Sequence, residues 1–175
     1  MKRTALLAAA LAVAVLSGCA GIREALSPPP QGKPSGREGW LVYGVGALRF
    51  EAPAAWQPTG SARHLKLENP GATARLEVST PETTYADQKA CLAAAEEVLA
   101  KASSLERVRR HETTFGGARA LTLEGDSGGW HVWAWAACDG GTQYQVFFTA
   151  QTPAPAPVIE AYRTLTSTAR IGGEV

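Results

Sequence analysis

The chain reads as an α+β domain: a mostly antiparallel sheet of about six to eight strands flanked by two helices, an α/β/α sandwich. Three observations carry this. Residues 107–115, 118–125, 129–138 and 142–151 are four strand-like segments parted by Gly116-Gly117, Asp126-Ser127-Gly128 and Asp139-Gly140-Gly141, the pattern of a meander. Cys91, Ala95, Val98, Ala102 and Leu105 recur at helical spacing. A second helical stripe, Val158, Ile159, Tyr162, Leu165 and Ala169, follows Pro153, Pro155 and Pro157.

In chain order, Met1-Lys2-Arg3 is a short basic start and Thr4 to Leu16 an uncharged apolar run, the length of a signal-peptide core. Gly18, Gly21 and Arg23 interrupt it before the roughly 20 apolar residues that a spanning helix needs. The run closes on Leu16-Ser17-Gly18-Cys19, which resembles the lipobox of bacterial lipoproteins. That resemblance implies removal of residues 1–18, a diacylglycerol on the Cys19 thiol and acylation of its new amino group. With two or three acyl chains the anchor is stable. Ala20, rather than Asp, after the Cys implies sorting to the outer membrane, facing the periplasm. A helix with a chance Cys is the alternative reading.

Residues 19–39, with Pro28-Pro29-Pro30, Gly32, Pro34 and Gly36, hold few apolar side chains and read as a tether. A single folded domain is expected over 40–172. Trp40 to Phe50 makes one bent strand or two short ones around Gly44 and Gly46. In Phe50-Glu-Ala-Pro-Ala-Ala-Trp56 a strand meets a turn at Pro53 that tucks Trp56 under the sheet. Leu65 and Leu67 share a face, Asn69-Pro70-Gly71 turns the chain, and Ala74, Leu76 and Val78 complete a hairpin. Thr84 is the expected N-cap of the first helix, with Asp87 in its first turn and its end near Ser103.

The last hairpin has a definite register. An even loop around Gly140-Gly141 sets Trp135 opposite Val146 and Trp133 opposite Phe148, with His131 and Tyr144 on the same face. Val132, Ala134, Ala136 and Cys138 lie on the other face, where small residues admit a helix. The second helix, ended by Gly172-Gly173, is expected over the Trp133–Trp135 side.

Composition narrows the function. Removing Lys2 and Arg3 takes the 17 basic residues to 15 against 16 acidic ones, a net charge of −1. A near-neutral chain with no basic run argues against nucleic acid as a partner. Arg107, Arg109 and Arg110 form a local cluster, read as a solvated strand edge. Cys19 aside, Cys91 and Cys138 remain, and export puts them where such a pair bonds, adding about 4 kcal/mol. Two buried free thiols are the alternative.

The order of strands, long helix, four-strand meander and closing helix resembles the PsbP/Mog1-like α/β/α sandwich. Phe50-Glu-Ala-Pro-Ala-Ala-Trp56 and the closing segment Leu165 to Ile171 carry the likeness. It implies non-enzymatic binding, by assembly factors and accessory subunits, and transfers no site residue.

The residues offer little catalytic chemistry. The three Asp, Asp87, Asp126 and Asp139, each have a local explanation in a helix start or a Gly-rich turn, leaving a carboxylate dyad or triad little to draw on. His64, His111 and His131 show no metal-ligand spacing, and no Gly-x-Ser-x-Gly elbow occurs. No cofactor and no metal is expected, and the chain is not expected to be an enzyme. Trp130, His131, Trp133 and Trp135 are the candidate binding surface, weighed against a role as core at strand spacing. The expectation is a lipid-anchored envelope protein that binds another envelope protein as an accessory or assembly factor. The alternative is a carrier or sensor of a small apolar or glycan ligand through the aromatic cluster.

Overall fold

The computed structural model describes residues 29–100 and 105–172. Residues 1–18, Cys19 and the first part of the tether lie outside the described residues, as does the expected helix end at Ser103. The chain forms β1 (Lys33–Pro34), β2 (Trp40–Val45), β3 (Leu48–Pro53), β4 (Gln57–Ser61), β5 (His64–Glu68) and β6 (Ala74–Ser79). Helix α1 (Gln88–Ala100) follows, then β7 (Glu106–Phe115), β8 (Ala118–Ser127), β9 (Trp130–Asp139) and β10 (Thr142–Gln151). Helix α2 (Ala156–Thr168) and β11 (Arg170–Ile171) complete it.

The class is α+β, with two helices and two antiparallel sheets. Seven strands order as β4-β5-β6-β10-β9-β8-β7, and four as β1-β2-β3-β11. The division into two sheets is the main departure from a single-sheet reading. Tyr43, Val45, Leu48, Phe50 and Ala52 project from the small sheet into one cluster with Leu65, Leu67, Leu76, Val78, Val146 and Phe148 of the large one. The turn after β3 makes this possible: the Trp56 amide donates to the Pro53 carbonyl at 3.1 Å, and the Trp56 ring packs 5.9 Å from Phe148.

Three strands escape the sequence reading. β4 contains Pro58 and Gly60 and no apolar alternation; it survives as an exposed edge, where a missing ladder N–H is tolerated. β1 pairs Lys33 and Pro34 with Val42 and Leu41, so ordered pairing begins ahead of Trp40. β11 pairs Arg170 and Ile171 with Arg49 and Leu48. Helix α2 therefore stops at Thr168 rather than at Gly172-Gly173: Ala169 turns to extended geometry and its amide donates back to the Leu165 carbonyl at 3.0 Å.

The meander and its register are as expected. Trp135 faces Val146 and Trp133 faces Phe148, and β8 pairs β9 with Leu123 opposite Ala134. Helix α1 covers the small-residue face, burying Cys91, Ala95 and Leu99 against Leu123, Ala134 and Ala136. Its cap is not Thr84 but Asp87, whose Oδ1 accepts from the Ala90 amide at 2.8 Å. A carboxylate on the third amide of the first turn answers an orphan donor and the positive end of the dipole together. Cys91 and Cys138 are bonded as a disulfide, Cα atoms 6.0 Å apart. Among the described residues no helix is long and apolar enough to cross a membrane.

Candidate functional site

Strand alternation decides what becomes of the four residues singled out from sequence. His131, Trp133 and Trp135 point to the face that carries α2. Tyr162 of α2 lies 4.5 Å from the Trp133 ring centroid and 6.0 Å from that of Trp135. Trp135 also packs 5.1 Å from Phe115 and keeps only 6% of its surface exposed. Trp133 sits 5.9 Å from Phe148. These two rings are therefore employed in seating α2. Burial pushes the Tyr162 phenol above its ordinary value, with the Glu124 carboxylate adding to the effect.

His131 stands at the border of this packing, its ring 4.2 Å from Trp133 and its Nδ1 2.7 Å from Asp126 Oδ1. Asp126, read from sequence as a turn residue, is the penultimate residue of β8 and lies directly across from His131. Arg107 reaches the same carboxylate at 3.1 Å. It does so from a bulge: the β7–β8 register slips between Glu106 and Arg109, and Arg107 adopts φ 52°. A non-glycine residue in the left-handed region is strained by roughly 1–2 kcal/mol. The His131 hydrogen bond, aided by Arg107 and Arg109, holds the Asp126 carboxyl below its usual range against partial desolvation. Arg109 pairs with Glu124 at 3.2 Å. The sequence signal for this constellation was present, because a short Gly-Gly turn sets 126 opposite 131. His131 offers one free ring nitrogen, and among the described residues no group of His, Cys, Asp and Glu could hold a metal ion.

Trp130 has the opposite orientation. It lies on the α1 side of the sheet, past the described end of that helix, and lines a cleft of about 390 Å³ with Arg75, Glu68, Ser127 and Thr149. The structure thus separates Trp130 from His131, Trp133 and Trp135. Cys91 and Cys138 meet at the other end of the same face, where Gln88 Nε2 donates to the Cys138 carbonyl at 3.0 Å and Gln143 Nε2 to that of Cys91 at 3.3 Å.

A third feature lies where Arg107, Arg109 and Arg110 were read as a solvated strand edge. Among the described residues β7 has a single neighbour, β8, and every residue from Glu106 to Glu112 is exposed, Val108 at 37%. Beside it, a groove of about 200 Å³ runs under α1, with Leu99 and Leu121 among its lining and Glu96, Arg110 and Glu112 at its charged positions. Glu112 is held by Arg119 at 2.9 Å. Arg107 and Arg109 are answered by β8, whereas Arg110 has no carboxylate within ion-pair distance among the described residues.

Comparison with known proteins adds the fold. No family model matches the chain, and no curated protein matches it. Among solved structures it is similar to a crystal structure from Bacteroides thetaiotaomicron VPI-5482, with a TM-score of 0.52 and 13% identity over 78% of this chain and 49% of that one. The chain thus spans about half the length of that structure. It is also similar to the solution structure of cyanobacterial PsbP (CyanoP) from Synechocystis sp. PCC 6803, with a TM-score of 0.50 and 14% identity over 78% of this chain and 94% of that one. The domain has a PsbP-like fold.

Proposed function

We propose that this chain is a lipid-anchored protein of the cell envelope, held through Cys19 at the outer membrane and facing the periplasm. Its domain binds another envelope protein without catalysis, as an accessory or assembly factor. The lipobox-like Leu16-Ser17-Gly18-Cys19 supports the anchor, and the Cys91–Cys138 bond suits an oxidising compartment.

The observation that supports the binding role is the edge of β7, unpaired among the described residues, beside the α1 groove. An edge ten residues long that is unpaired among the described residues is a template for another strand. Proteins blunt such edges by shortening or covering them or with charges and bulges. β7, though charged from Glu106 to Glu112 and bulged at Arg107, is neither short nor covered by a described element. The opposite edge, β4, is short and carries Pro58 and Gly60. The bulge at Arg107 bends one end of β7, and the regular register from Arg109 to Phe115 remains open for pairing. An extended partner segment would gain main-chain hydrogen bonds there and place alternate side chains over the groove. Leu99 and Leu121 suit an apolar side chain, and the unanswered Arg110 suits an acidic neighbour. The carrier reading has less support, because Trp133 and Trp135 are occupied by Tyr162.

The test is site-specific photo-crosslinking in living cells. A photoreactive amino acid at Arg110 and, separately, at Glu112 should capture the same envelope protein, joined through an extended segment with acidic and apolar residues. The same group at Thr59 on β4 should capture none of it. Equal capture from Thr59, or capture only of a second copy of the chain, would overturn the reading.

A further inference from the structure

We propose that the cleft at Trp130 is a binding site for an acidic saccharide. It lies on a different part of the sheet from β7 and does not depend on the strand-addition reading. Two cross-strand rows build it. Glu68, Arg75 and Thr149 stand opposite one another on β5, β6 and β10, and Ser127 stands opposite Trp130 on β8 and β9. The cleft's volume of about 390 Å³ falls in the range of ligand clefts, roughly 300–1,000 Å³.

Its chemistry specifies the ligand class. Trp130 is half-buried and offers a flat apolar plate, the surface against which the C–H face of a sugar ring stacks. Hydroxyl groups around that plate complement a sugar's own hydroxyls. Ser127 Oγ has no internal partner among the described residues, and Thr149 Oγ1 spends only one long contact, 3.5 Å, on the Arg75 carbonyl. The two charged side chains are not equivalent. Glu68 is paired with Lys66 at 3.3 Å, whereas the exposed Arg75 has no carboxylate within ion-pair distance among the described residues. An unanswered guanidinium takes a carboxylate, sulfate or phosphate in a bidentate fork. A neutral sugar leaves that cation unused. A ring with an acidic substituent satisfies plate, hydroxyls and cation together.

The rim is fixed before any ligand arrives. Asn69 Oδ1 accepts from the Thr73 and Ala74 amides at 2.8 and 2.9 Å, and Asn69 Nδ2 donates to Thr73 Oγ1 at 2.9 Å. This ties down the turn that presents Ala72 to the cleft, with Ala72 at φ 50°. A rim ordered in advance lowers the entropy lost on binding.

The experiment is a titration of the full-length chain, purified in a detergent without a sugar headgroup, with trigalacturonate and sialyllactose as acidic probes and maltotriose as the neutral one. Heat and tryptophan fluorescence are both followed. At least one acidic probe should bind saturably and shift the fluorescence, and maltotriose should bind at least tenfold more weakly. Trp130→Ala should abolish the shift, and Arg75→Gln should weaken the acidic probe about tenfold or more while leaving any maltotriose signal alone. Trp40→Phe, on the other sheet, should change neither affinity. Unchanged thermal midpoints in the variants would establish that they fold. Failure of both acidic probes to bind at millimolar concentration would overturn the proposal. So would binding that survives Trp130→Ala and Arg75→Gln, or equal affinity for maltotriose.

Discussion

Removing the Cys91–Cys138 bond should weaken the chain in a way that exposes how α1 is held. The helix contributes only two fully buried apolar side chains besides its half-cystine, Ala95 and Leu99, and it rests on Ala134 and Ala136, which offer little to interlock with. Burial of Leu99 and Ala95 supplies about 3 kcal/mol. The disulfide closes a loop with a sequence separation of 47, which constrains the unfolded chain by about 4 kcal/mol. Truncating two sulfur atoms that are wholly buried adds a cavity penalty of about 1 kcal/mol. Cys91→Ala with Cys138→Ala should therefore lower stability by about 5 kcal/mol, or about 15 °C in Tm for a domain of this size. Urea unfolding gives the equilibrium value, and amide exchange gives its location. Amides of α1 should lose protection first, with β9 and β10 following only at global unfolding. A loss under about 1 kcal/mol, or equal loss of protection in α1 and in the central strands, would refute this account of the helix.

Three further outcomes follow from single residues. Thr122 Oγ1 is buried with no hydrogen-bond partner among the described residues, so Thr122→Val should stabilise the protein by about 1 kcal/mol in denaturant unfolding, and destabilisation would show that the hydroxyl is satisfied. Asp126 has its carboxyl held below the usual range, so the unfolded chain takes up the proton more readily. The stability from this site is in place above the ordinary carboxylate value, about pH 4, and is lost as pH falls through the lower folded-state value. Asp126→Asn should flatten that acid limb of the stability–pH curve, and an unchanged limb would remove the pair from the account. Cys19→Ala should leave a precursor of full length without incorporated fatty acid, and normal processing of this variant would contradict the anchor.

The sequence was most legible where one periodicity dominated. In the meander, two-residue alternation and Gly-rich turns determine faces and register together, so the pairing of Trp133 with Phe148 follows from counting. The α1 stripe was legible for the same reason, and the disulfide from a different one: Cys91 and Cys138 are the pair left after Cys19 in a chain read as exported. β1, β4 and β11 were not, because a strand of two residues, or one exposed on both sides, has no alternation to read. The start of α1 was read at Thr84 with Asp87 inside the first turn; both residue types cap helices, and in the structure it is the Asp87 carboxylate that accepts from the Ala90 amide. The candidate surface was read as one cluster because Trp130, His131, Trp133 and Trp135 are close in sequence. Pleating sends Trp130 to the opposite face, and α2 then covers Trp133 and Trp135. The edge at β7 showed in sequence only as the charged run Arg107, Arg109 and Arg110, read as a solvated strand edge; the groove beside it did not, because it depends on strand order and helix placement across the whole sheet.

The most direct measurement of the central claim is amide hydrogen exchange on the full-length chain, alone and with the segment captured from Arg110. Strand addition predicts that amides of Arg109 to Phe115 gain protection on binding and that those of Gln57 to Ser61 do not. Unchanged exchange along β7, with protection appearing elsewhere on the domain, would contradict it.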